Sequence, residues 1–167
     1  MIKVTSNLKE VTSRILGRLQ AINDPNGPAR DKMLRVMALD TVAAMKERIH
    51  EKGLNSEEQS LGDYTSKYLK LRDKGKDKTG KRYNRGSSSK VIFSLTRLME
   101  NDFNIVSGGG SGYNLGFKNP LNADKANWLQ QNPKFGKVYK PTATEVEHMK
   151  AVAEQFITDL LNGENPR

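Results

Sequence analysis

Ten basic side chains crowd residues 67–90: Lys67, Lys70, Arg72, Lys74, Lys76, Lys78, Lys81, Arg82, Arg85 and Lys90. Only Asp73 and Asp77 oppose them, so this segment carries +8 of the chain's +9 formal charge. The body is close to neutral and the segment is strongly basic. Chemistry open to such a run is contact with a polyanion, or with acidic surfaces on neighbouring subunits. Lys74, Lys76, Lys78, Lys81, Arg82 and Arg85 are the candidate partner or nucleic-acid contacts. Tyr64, Tyr68 and Tyr83 interleave with the charges, a weak likeness to single-strand binders, whose stacking platforms usually lie on a rigid sheet. The competing reading is a solvated loop, which is what many charge runs are.

Other constellations argue against catalysis. There is no cysteine, hence no disulfide, thiolate zinc site or cysteine nucleophile. His50 and His148 stand far apart and outside any metal-binding spacing, which suits surface or packing roles. The glycines between Gly108 and Gly116 invite a phosphate-loop reading, but a second strand follows them and no GK[ST] is present. Gly-Gly-Ser-Gly around Ser111 lacks the spacing of a nucleophile elbow. Glu145 and Glu147 fall in a first helical turn, where carboxylates complement the helix dipole, and Glu57 and Glu58 lie in a polar stretch. The expectation is no catalytic, cofactor or metal residues, and no enzyme.

The elements that must carry these residues follow from periodicity. The chain has 167 residues, 35% hydrophobic and 28% charged, with a mean hydropathy of −0.71. That allows one domain with a modest core and leaves some of the chain exposed or ordered by a partner. The longest apolar run, 36–45, is broken by Asp40 and Thr41, and the first residues lack the apolar core of a signal peptide. A soluble intracellular product without membrane contact is expected. Leu8, Val11, Ile15, Leu19 and Ile22 mark an amphipathic helix over 4–22, with Asn7 and Glu10 as a capping box. Pro28 opens a second helix over 28–52, apolar around much of its girth and stopped by Gly53. Tyr64, Tyr68, Leu69 and Leu71 suit a short helical turn.

Beyond the basic stretch, Val91, Leu95, Leu98 and Met99 keep helical spacing, although 91–93 also suits a strand start. The alternating runs 102–106 and 113–117, joined by glycines, predict a β-hairpin. A short helix over 123–131 carries Trp128, and Val138 with Tyr139 suggest an edge strand. Thr142 and Glu145 predict a capping box for a last helix ending near Gly163. Trp128, Phe156 and Leu160 are expected in the core. The fold class is α+β: helices packed on a small antiparallel sheet with a β-hairpin, plus a long basic loop. It divides into a helical part (1–53), a basic extended arm (54–90), an α+β core with its C-terminal helix (91–162) and a tail (163–167).

In order, these features resemble the phage virion-morphogenesis and tail-completion proteins. The matching stretches are Arg48-Ile49-His50-Glu51-Lys52-Gly53-Leu54-Asn55 and Leu61-Gly62-Asp63-Tyr64-Thr65-Ser66-Lys67-Tyr68. These are similar to the family's helix end and its "G-x-Y-S/T" segment. Leu95-Thr96-Arg97-Leu98-Met99-Glu100-Asn101-Asp102-Phe103 resembles its "LTG-x-L-x-x-S" segment, with Arg97 where the family carries glycine. Leu115-Gly116-Phe117 and residues 126–129 resemble its "YA-x-x-x-xFG" region, and Lys140-Pro141-Thr142 its "F-x-L-S-x-x-E" helix start. The resemblance spans about 48–161. It implies a structural part that forms a homo-oligomeric ring at the head–tail joint, meeting portal, connector or tail proteins, with non-specific contact to packaged DNA. The alternative is a nucleic-acid-binding accessory protein using the arm 67–90.

Overall fold

The computed structural model describes residues 8–73, 89–93 and 97–166. Helices α1 (Leu8–Asn23) and α2 (Pro28–Glu47) open the chain, and α2 runs on into one π-helical turn, Arg48–Lys52. Gly53, at φ 67°, stops it where the sequence placed the stop, and a side chain there would strike the Val91 carbonyl. Then come α3 (Ser66–Asp73) and α4 (Leu98–Asp102). Strands β1 (Phe103–Gly109) and β2 (Gly112–Phe117) lead to α5 (Pro120–Gln131) and α6 (Ala143–Asn162). The fold is α+β.

β1 and β2 form an antiparallel hairpin that pairs Phe103 with Phe117 and Ile105 with Leu115. Its register shifts between Ile105 and Ser107, leaving Val106 as the extra residue of a bulge. The tip rests on the turn ahead of α2. Gly110 lies so close to the Pro25 carbonyl that no side chain fits, and Arg30 Nε donates to the Gly110 carbonyl at 2.8 Å.

One core holds this together: Val42, Met45 and Ile49 from α2 and its extension, Phe103 from β1, and Leu61, Val91 and Val138 from coil. Phe117 and Tyr139 stack against Phe103 with ring centroids 5.3 Å away in each case. Phe156 of α6 is buried as expected, and Leu160 is half-buried. The Thr142 capping box is complete: Glu145 N donates to Thr142 Oγ1 at 3.0 Å, and Thr142 N to Glu145 Oε2 at 2.8 Å.

Four expectations need correction. Trp128 is exposed, not core. Val138 and Tyr139 form no strand; they are coil, Val138 is fully buried, and they fill the core rather than lengthen the sheet. Val91 and Ile92 are likewise buried coil, neither helical nor strand. The apolar stripe of α1 is only partly covered, with Ile15 and Leu19 still exposed. The early part of the predicted arm is also built into the body: Asn55 Oδ1 accepts from Glu57 N and Gln59 N, and Leu61 is buried. Asn7, half of the first predicted capping box, lies outside the described residues.

Candidate interaction site

Two polar constructions stand out, and the first is internal. Arg48 comes off the π-helical turn into the space between α2 and α6. Its Nε donates to Glu145 Oε1 at 2.8 Å, and its Nη atoms donate to the Leu54, Val138 and Lys140 carbonyls at 3.0–3.2 Å. Both side chains are buried. Glu145 therefore does two jobs, capping α6 and neutralising Arg48, and its carboxylate is committed to both. His50 Nδ1 donates to the Ile92 carbonyl at 3.0 Å, inside the core. His148 is on the surface, with Nε2 2.7 Å from Asp40. Among the described residues no cluster of three His, Cys, Asp or Glu side chains is placed to hold a metal ion.

The second construction is a groove at the foot of the basic segment. Tyr64 and Tyr68 stand with ring centroids 4.8 Å apart, and the guanidinium of Arg72 lies 4.7 Å above the Tyr64 ring. Arg72 itself is buried. Ile92 N donates to the Tyr64 hydroxyl at 3.2 Å, and burial pushes that hydroxyl's pKa up. Residues 89–91 lie beside the same tyrosine. Tyr64 N donates to the Ser89 carbonyl and Val91 N to the Gly62 carbonyl, both at 2.8 Å, and the backbones of Asp63 and Lys90 pair as an isolated antiparallel bridge. Both roots of the basic segment are thus fixed against Tyr64.

Phe93, Met99, Lys125, Trp128 and Leu129 complete the groove, a cavity of 270 Å³. Phe93 sits at φ 44°, in the left-handed region that an aromatic residue enters only at a cost, and meets Phe135 edge-on at 5.0 Å. Helix α5 explains why Trp128 lines a surface. Asn122, Ala126 and Leu129 share one face and are buried; Leu121, Lys125 and Trp128 share the adjacent face and face out. Asp102 locks this arrangement by accepting from Asn122 Nδ2 at 2.9 Å and from Asn119 N at 3.0 Å, and the Asn122 bond chiefly lowers its pKa.

The predicted contact residues Lys74, Lys76, Lys78, Lys81, Arg82 and Arg85 lie outside the described residues, as does Tyr83. Tyr64 and Tyr68, named from sequence as aromatics beside the charges, do come together. Arg48 was missed as a hub, because nothing in a single sequence links it to a carboxylate 97 positions away. No helix among the described residues is long and apolar enough to cross a membrane. No family model, curated protein or solved structure matches the chain.

Proposed function

We propose that this chain is a structural subunit of a tailed-bacteriophage virion, forming a ring at the head–tail joint and acting in virion assembly. The observation that carries the reading is the conformation of Arg97. It occupies the position where the resembled family has glycine, and it stands at φ 58°, in the left-handed region glycine favours. A backbone that wants glycine there supports descent from that pattern. The other stretches that resemble the family also supply buried residues: Ile49, Leu61 and Phe103 share the core, and Arg48 pairs with Glu145. Subunit contacts need apolar area, and exposed Ile15, Leu16 and Leu19 on α1, with Leu39 on α2, supply it.

Native mass of the purified chain, alone and with a portal protein, tests the reading. A closed ring or a defined portal complex is expected, and Leu16→Glu should weaken it. A monomer at every concentration, with no portal complex, overturns it. The second reading, a nucleic-acid accessory protein, draws on the +8 segment rooted at Tyr64. It predicts duplex binding by the free subunit, with affinity falling steeply as salt rises.

A further inference from the structure

We infer that the groove between α3 and α5 is a docking site for an acidic segment of another protein, anchored by an apolar side chain. Among the described residues the two most exposed large hydrophobic side chains, Leu121 at 67% and Trp128 at 63%, share the outward face of α5, and Trp128 lines the groove. Concentration of exposed apolar area in one place is what marks a contact surface, and an exposed tryptophan beside a cavity is the usual form of an interface anchor. The floor, Met99 and Leu129, is aliphatic. At 270 Å³ the groove has room for a large side chain.

Charge selects the partner. Lys125 lies between Leu121 and Trp128 on the outward face of α5, and Lys67 and Lys70 are exposed on α3. Lys134 stands 5.6 Å from the Phe135 ring that packs on Phe93. Asp124 is the acid next to Lys125 in sequence. Lys67, Lys70 and Lys125 give this side of the groove a positive field. That field repels the basic segment of a second copy. It attracts acids, and between acidic protein and nucleic acid the ring geometry decides. Tyr64 and Tyr68 are tilted by 48° and Phe93 and Phe135 stand at 90°, so no flat platform is offered for successive bases. Exposed Trp128 and Leu121 on one face of α5 give dehydration energy to a protein, whereas phosphates and sugars have little use for Leu121.

The inference stands apart from the virion reading, since native mass reports on rings separately. Trp128 is the only tryptophan in the chain, so its emission reports directly on the groove. Peptides would be selected from a random library on the full chain, with counter-selection on a Leu121→Asp/Lys125→Glu variant. Both substitutions are at exposed positions, and circular dichroism confirms that the variant is folded. The expected winners are acidic and carry leucine, phenylalanine or tryptophan. Their synthetic consensus should shift Trp128 emission to the blue, and Lys125→Glu should weaken it by about tenfold or more. Winners that are neutral or basic, or no enrichment over the variant, overturn the inference. So does an oligothymidylate that perturbs Trp128 at lower concentration than the peptide, or a blue shift produced by protein concentration alone.

Discussion

Arg48 and Arg72 are both buried arginines, and their surroundings differ in kind. Arg48 is met by a carboxylate and three backbone carbonyls drawn from distant parts of the chain. Arg72 lies against the faces of Tyr64 and Tyr68, a few residues away in its own neighbourhood. The first arrangement ties helix α6 and the 138–140 coil to the end of α2, so it holds the fold. The second fixes the start of the basic segment and the wall of a groove, so it shapes a surface. Loss at the first site should be global, and loss at the second mostly local.

Glu145→Ala is the largest test. It leaves the Arg48 charge buried without a counter-ion and removes the Glu145 half of the α6 capping box. Removal of one partner of a buried pair costs about 3–5 kcal/mol, which urea denaturation would read as a lower midpoint. The Arg48→Met/Glu145→Leu double variant should lose less than the two single losses together, because no lone charge remains. It should still fall below the parent, since the Leu54, Val138 and Lys140 carbonyls lose their donor. Full additivity would mean that Arg48 and Glu145 do not act as a pair.

At the other arginine the effect should be smaller. Arg72→Ala removes, among its contacts, a desolvated cation from two aromatic faces, and that part is worth about 2 kcal/mol by the usual scale. Arg72→Lys should recover only part, since a compact ammonium cannot lie flat on both rings. Hydrogen exchange should report the loss at α3 and at Ser89–Lys90, with Val42–Ile49 unchanged. If the whole chain exchanges faster, Arg72 belongs to the core and the distinction fails.

How much of this could be read in the sequence depends on how local each cause is. The stops at Gly53 and Gly163, the Thr142 capping box and the hairpin turn are short-range devices, and they stand where the spacing placed them. The Arg48 hub is long-range, so no spacing rule reaches it. Trp128 failed for another reason. Helix α5 offers two adjacent stripes, Leu121-Lys125-Trp128 and Asn122-Ala126-Leu129, and hydrophobicity favours burying the first. The structure buries the second, because Asn122 is held by Asp102 and small Ala126 lets the helix approach. The coil at 138–139 was misjudged because β-branched and aromatic residues fill a core without pairing edges.

Tyr139 sharpens the contrast within the core. Its hydroxyl is buried without a hydrogen-bond partner among the described residues, so Tyr139→Phe should raise stability by about 1 kcal/mol. Burial also drives its pKa well above the ordinary tyrosine value, with Arg48 opposing weakly. Above pH about 10 the unfolded chain releases protons that folded Tyr139 and Tyr64 keep, so stability should fall as pH rises further. The fall should be shallower in Tyr139→Phe. A loss of stability in that variant at pH 7 would show that the hydroxyl has a partner. Arg97→Gly should be of similar size, a gain of about 1 kcal/mol from relief of the left-handed backbone. No gain there would remove the observation on which the virion reading leans.

Trp128→Ala should have the smallest effect on stability and the clearest meaning. A packed tryptophan truncated to alanine costs about 3–5 kcal/mol, because transfer energy and a cavity are both lost. At 63% exposure most of the indole is already in water, and no internal cavity opens when it goes. The change should stay within about 0.5 kcal/mol, as for surface substitutions away from caps and cores. Its neighbour on the same helix gives the control: Leu129→Ala, one position on and buried, should cost about 2–5 kcal/mol. The pair asks which stripe of α5 faces the body. If Trp128→Ala melts far below the parent while Leu129→Ala does not, α5 is rotated and the groove is not on the surface. If Leu129→Ala alone is destabilised, a tryptophan that contributes little to the fold is held at the foot of the basic segment for contact with something outside the chain.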